Sequence, residues 1–123
     1  MADTELRVLI VDDEEAARHR LEDLLAHEAD TEVIGQATSG REAIQAIERL
    51  APDLVFLDVQ MPGLTGIDVV REVGPKHMPA VIFATAYDQY AIDAFDMAAV
   101  DYLLKPYDDE RFEQALVRAR DRV

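Results

Sequence analysis

Leu54-Val55-Phe56-Leu57-Asp58 is an unbroken apolar run that stops at a carboxylate. Three other runs in the chain stop in a similar way. Val8-Leu9-Ile10-Val11 reaches Asp12-Asp13, Val81-Ile82-Phe83-Ala84 reaches Thr85, and Tyr102-Leu103-Leu104 reaches Lys105-Pro106. Short continuous apolar runs suit strands covered on both faces of a parallel sheet. If the four runs are neighbours in such a sheet, their carboxyl ends lie along one edge. Three carboxylates, a hydroxyl and an ammonium then share one shallow pocket, a grouping suited to a divalent cation and a phosphoryl group.

Working outward from those runs, strand and helix alternate five times. Strands are expected at Leu6–Val11, Thr31–Ala37, Leu54–Leu57, Ala80–Thr85 and 100–104. The second is the least apolar and reads as an edge strand. The first helix, near 14–29, places Ala17, Leu21, Leu24 and Leu25 on one face. Ser39-Gly40-Arg41-Glu42 has the form of a capping box ahead of a second helix that Pro52 stops. Thr65 caps a short third helix ended by Gly74 and Pro75. Asp108 caps a last helix with Phe112, Ala115, Leu116 and Ala119 on its buried stripe. The fourth helix, near 89–97, is interrupted by Asp93 and Asp96 and is expected to be the weakest. The alternation implies an α/β sandwich with right-handed crossovers. Ligands of such open sheets bind at the carboxyl ends of the strands, where strand order reverses.

At 123 residues, half of them hydrophobic, the chain is expected to form one domain over 1–123. It has no cysteine, which excludes disulfides, thiol nucleophiles and Cys-ligated zinc. The first residues lack the pattern of a secretory signal, and the apolar runs are far too short to span a membrane. A cytoplasmic protein is the expectation. The formal net charge of −14 makes the chain a poor direct ligand for nucleic acid or anionic lipid.

Asp12, Asp13 and Asp58 would concentrate negative charge in a small volume, which favours either a proton or a shared cation. An all-oxygen donor set with few protein ligands suits magnesium. Zinc is not expected, because His19, His27 and His77 lack ligand spacing. A carboxylate such as Asp58 is able to act as a nucleophile and form an aspartyl phosphate. Lys105 and the cation would offset charge on the phosphoryl oxygens. Thr85 and backbone N–H groups could donate to them. Taken singly, each residue has a plainer reading: a turn aspartate, a helix cap, a β-favouring threonine, a loop lysine. Their joint placement at four strand ends is what favours the chemical one.

These residues resemble the receiver domain of two-component response regulators, over nearly the whole chain. The resemblance is carried by 8–15 (VLIVDDEE), 54–66 (LVFLDVQMPGLTG), 81–86 (VIFATA) and 101–106 (DYLLKP). The stretch 83–106 is similar to the subgroup with LytTR-type DNA-binding outputs. The resemblance implies a flavodoxin-like (βα)5 fold, strand order 2-1-3-4-5, an order the receiver family itself exemplifies. It implies that Asp58 accepts a phosphoryl group from a sensor histidine kinase, with magnesium or manganese required. Asp13, Asp58 and the Gln60 backbone carbonyl would hold the metal, with Asp12 acting through water. Thr85, the Ala86 backbone and Lys105 would contact the phosphoryl oxygens, and Tyr102 would be the aromatic switch. The Lys105–Pro106 peptide would be cis. Such a domain is a signalling acceptor rather than an enzyme, and DNA would be reached only through an output domain outside this chain.

The expected output face comprises the fourth helix, the fifth strand and the last helix. A homodimer there could pair Asp88, Asp93 and Asp96 with Arg111, Arg118 and Arg122. Three rivals stay open. A phosphatase of the haloacid dehalogenase type wants a second acid where Gln60 stands. A pseudo-receiver would be an unphosphorylated interaction module. A nucleotide-binding α/β domain lacks its Gly-rich loop after the first strand.

Overall fold

The computed structural model describes residues 5–123. The strands are β1 (Leu6–Val11), β2 (Thr31–Ala37), β3 (Leu54–Leu57), β4 (Ala80–Thr85) and β5 (Asp101–Leu104). The helices between and after them are α1 (Glu15–Ala26), α2 (Gly40–Leu50), α3 (Gly66–Val73), α4 (Ala91–Asp96) and α5 (Asp109–Arg122). All neighbouring strands pair in parallel, in the order β2-β1-β3-β4-β5. This is the flavodoxin-like sheet, with β2 on one edge as its weak apolar content required.

Period-two alternation sends successive strand residues to opposite faces. Leu9, Val11, Val55, Leu57, Val81 and Phe83 pack under α2, α3 and α4. Val8, Ile10, Leu54, Phe56, Ile82 and Leu103 pack under α1 and α5, where Phe56 stacks on Phe112 at 5.7 Å between ring centroids. Both faces are apolar, so the inner strands read as continuous rather than alternating runs.

Strand order reverses between β1 and β3, which pair with Val11 opposite Leu57. The ladder continues one residue beyond the paired ends. Asp58 donates its backbone N–H to the Val11 carbonyl at 3.0 Å, and Lys105 donates to the Thr85 carbonyl at 2.7 Å. These bonds set the heights at which the acidic and basic side chains leave the sheet.

Three local details depart from expectation. Ser39 Oγ accepts from the Glu42 N–H at 3.2 Å, but the Glu42 carboxylate turns back to the Thr38 N–H and hydroxyl, at 2.8 and 2.9 Å. Only half of the expected capping box therefore forms there. The complete box belongs to α3: Thr65 Oγ1 accepts from the Asp68 N–H at 3.1 Å, and Asp68 Oδ2 accepts from the Thr65 N–H at 3.0 Å. The first helix stops at Ala26, where Thr31 Oγ1 donates to the Leu25 and Glu28 carbonyls at 3.0 and 3.1 Å. The segment expected near 89–97 divides into a 3-10 turn, Asp88–Tyr90, and the six-residue α4. The weakness expected of that helix is visible in its length and in Ile92 and Phe95, which are 76% and 83% exposed.

Candidate functional site

Asp12, Asp13 and Asp58 converge at the carboxyl ends of β1 and β3. Each offers a carboxylate oxygen within 4.8 Å of the others. Asp12 and Asp58 are buried, at 1% and 5% exposure, while Asp13 faces solvent. Lys105, at the end of β5, reaches back across the edge. Its Nζ lies 2.7 Å from Asp12 Oδ2, 3.4 Å from Asp58 Oδ2 and 3.6 Å from Glu14 Oε1. Thr85 is fully buried at the end of β4, and its Oγ1 accepts from the Tyr87 N–H at 3.4 Å. The Lys105–Pro106 peptide is cis.

Asp13, Glu14, Asp58 and Lys105 line an open pocket of about 430 Å³ whose other walls are Gln60, Met61, Pro62, Ala86 and Tyr87. Gln60 donates its N–H to Asp58 Oδ1 at 3.2 Å, fixing the carboxylate plane. Asp12 is held from both sides: Oδ1 accepts from the Glu14 N–H at 2.9 Å, and its carbonyl accepts from Arg18 at 2.9 Å. Gly66 opens α3 directly against the end of β3. A Cβ at Gly66 would lie 2.4 Å from the Asp58 carbonyl oxygen, so only glycine permits this approach.

Burial pushes the Asp58 carboxyl above the usual carboxylate range, and the neighbouring Asp12 charge adds to that. Lys105 and the Gln60 N–H oppose the shift without cancelling it. Burial pulls the Lys105 ammonium down, yet its bond to Asp12 and the fields of Asp58, Asp12 and Glu14 outweigh this and leave it raised. The pocket therefore holds more negative charge than its one lysine offsets. Three oxygen donors with surplus charge fit a hard divalent cation, which binds carboxylates and retains waters.

Tyr102, on β5, packs its ring 6.3 Å from that of Phe83 and donates its hydroxyl to the Tyr87 carbonyl. It stands half-buried beside the pocket rather than in it. His19, His27 and His77 are exposed and away from the pocket. Among the described residues the only acidic cluster close enough to hold a metal is Asp12, Asp13 and Asp58.

All three arginines considered for a dimer are already engaged within the chain. Arg111 binds both oxygens of Asp101 at 2.8 and 2.7 Å, and Arg118 binds Asp101 at 2.8 Å. Arg122 donates to the Ala98 carbonyl at 2.7 Å. The sequence reading missed Asp101 as the partner of Arg111 and Arg118, because the contact depends on how α5 packs back along β5 after the turn at 105–108. It also missed Tyr90, whose hydroxyl donates to Gln60 Oε1 at 2.9 Å across 30 positions. No spacing rule signals a contact between two loops.

The model for the response regulator receiver domain matches residues 8–117. The transcriptional regulatory protein BtsR of Escherichia coli strain K12 is 46% identical over 115 residues, covering 94% of this chain and 48% of that protein. The chain thus spans about half the length of the curated relatives it matches. The response regulatory domain of mrkE from Klebsiella pneumoniae superposes with a TM-score of 0.86 at 30% identity, covering 94% of this chain and 96% of that one. A CheX-CheY-BeF3-Mg+2 complex from Borrelia burgdorferi gives 0.82 at 26% identity, over 91% and 87%. No described helix is long and apolar enough to cross a membrane. With its sheet order, its acidic strand ends and these matches, the chain belongs to the response regulator receiver domain family of two-component systems.

Proposed function

We propose that Asp58 is the phosphoacceptor of a cytoplasmic receiver unit formed by residues 1–123. The observation that carries this is the Asp58 carboxylate itself: nearly buried, rich in negative surroundings, and 3.4 Å from the Lys105 ammonium on the floor of an open pocket. The donor is the phosphohistidine of a sensor histidine kinase. An Asp58 oxygen attacks phosphorus, the P–N bond breaks, and its electron pair leaves with the imidazole. Asp13, Asp58 and the Gln60 carbonyl hold magnesium or manganese, with Asp12 acting through water. A bound cation supplies positive charge against the phosphoryl oxygens. The Borrelia burgdorferi complex combines a similar fold with Mg and BeF3, which supports this reading.

Within the chain, Asp58 supplies the nucleophile and the Gln60 N–H holds it in plane. Lys105 offsets charge on a phosphoryl oxygen, and Thr85 and the Ala86 N–H donate to the remaining oxygens. Thr85 leaves its contact with the Tyr87 N–H to do so. This frees the 85–90 segment on which Tyr102 rests, and Tyr102 reorients as the switch. The change reaches the face of α4, β5 and α5, where Ile92 and Phe95 are exposed. A homodimer through that face would bury them. A LytTR-type output beyond this chain would then contact DNA. BtsR, a transcriptional regulatory protein of which the matched region is 48%, supports a transcriptional output.

Intact-mass measurement after incubation with magnesium and acetyl phosphate tests the acceptor. Wild type gains one phosphoryl group and Asp58→Asn does not. Equal labelling of both, or none of wild type, refutes it. Light scattering with and without beryllofluoride tests the dimer, and an unchanged monomer mass at high concentration refutes that.

A further inference from the structure

The contact between Tyr90 and Gln60 ties a lining residue of the pocket to the turn that follows its opposite wall, Ala86 and Tyr87. Gln60 belongs to the segment after β3, and Tyr90 to the 3-10 turn after β4. The Tyr90 hydroxyl donates to Gln60 Oε1 at 2.9 Å, while the Gln60 N–H donates to Asp58 Oδ1. Gln60 is otherwise exposed and lines the open side of the pocket. A water that removes a phosphoryl group from Asp58 must approach opposite the Oδ–P bond, which is from that open side. An amide oxygen there is a ready acceptor for such a water, and glutamine positions the attacking water in other phosphoryl transfers.

We propose that Tyr90 is a positioning residue that keeps the Gln60 amide oxygen turned toward the 3-10 turn and so lengthens the life of the phosphoryl group on Asp58. The inference rests on Asp58 being the acceptor. In the hydrolysis it restrains, the water oxygen bonds to phosphorus and the P–Oδ bond breaks. The electron pair returns to the Asp58 carboxylate, and the water proton leaves with the released phosphate. With Tyr90 in place, the phenol bond holds the Gln60 amide oxygen turned toward the 3-10 turn, so its second lone pair is not aimed at that water. Without the hydroxyl, the same oxygen turns to the water. The bond also ties Gln60 to the residue immediately before α4, so the lifetime of the phosphoryl group and the position of α4 depend on one contact.

Tyr90→Phe removes the hydroxyl and leaves the ring. The test labels wild type, Tyr90→Phe, Gln60→Ala and the double variant with acetyl phosphate and magnesium, removes the donor, and follows the mass with time. Loss of one hydrogen bond corresponds to a rate change of about three- to tenfold. The phosphoryl half-life of Tyr90→Phe should fall by that factor relative to wild type. In the Gln60→Ala background the same substitution should change nothing, because no amide oxygen is left to release. An equal shift in both backgrounds would make Tyr90 merely structural and overturns the proposal, as does an unchanged half-life in Tyr90→Phe. Failure of wild type to gain mass overturns the acceptor reading and this inference together. Unfolding midpoints of the four proteins confirm that each is folded at the assay temperature.

Discussion

Lys105 is bound more closely to Asp12 than to Asp58, at 2.7 Å against 3.4 Å. The ammonium at rest thus belongs mainly to the acid that is fully covered and only partly to the proposed acceptor. A charge this close to the carboxylates competes with any cation they hold.

Removing it should separate two functions. Lys105→Met is expected to tighten magnesium binding by roughly tenfold, since an opposing charge a few ångströms away at a partly exposed site amounts to about 1–2 kcal/mol after solvent screening. The same variant should label more slowly with acetyl phosphate, having lost the counter-charge. Calorimetric titration with magnesium checks the first effect and timed intact mass the second. Weaker magnesium binding in the variant would mean that Lys105 does not compete for the acids.

Asp58→Asn should stabilise the protein when divalent cations are absent. Burial and the Asp12 charge both disfavour the ionised Asp58 side chain. Neutralising it should raise the unfolding free energy by about 1–2 kcal/mol. Magnesium should narrow the difference by stabilising wild type more than the variant. Urea unfolding with EDTA and with magnesium measures both. A less stable variant in EDTA would show that Lys105 already balances the site.

The Asp101 carboxyl is pushed up by burial, but Arg111's hydrogen bonds, the Tyr102 N–H and the two arginine charges outweigh this and hold it below the usual range. A depressed value in the folded state means stability that is present above the unfolded value, near pH 3.9, and lost as pH falls through the folded one. Asp101→Asn should cost about 1–3 kcal/mol at neutral pH, as charge-assisted bonds do. The gap to wild type should close on acidification. Thermal unfolding from neutral pH down into the acid range would reveal it, and a gap that stays constant with pH would place the loss elsewhere than in the ion pairs.

Gly66→Ala places a methyl against the Asp58 carbonyl, so α3 or the end of β3 must move. Overpacking of this kind costs about 1–3 kcal/mol. Because Gly66 also donates its N–H to the Val59 carbonyl at 2.8 Å, the displacement should reach Asp58, the proposed acceptor, and labelling should slow as well. Chemical denaturation and labelling rates on the same preparation test both parts. A normal labelling rate in a destabilised variant would confine the role of Gly66 to packing.

Sequence alone determined the sheet and the composition of its carboxyl edge. Apolar runs between helical stretches leave little choice of architecture, and the residue that follows each run must emerge at the carboxyl edge. That is why Asp12, Asp13, Asp58, Thr85 and Lys105 were identifiable one strand at a time. The half-formed box at Ser39 shows the limit of local rules: Thr38 competes for the Glu42 carboxylate from one position further back. Only the tertiary structure decided which groups pair. Lys105 selects Asp12, Arg111 and Arg118 converge on Asp101, and Tyr90 finds Gln60. These choices depend on distances between elements that touch through packing or through loops, and no periodicity along the chain records them.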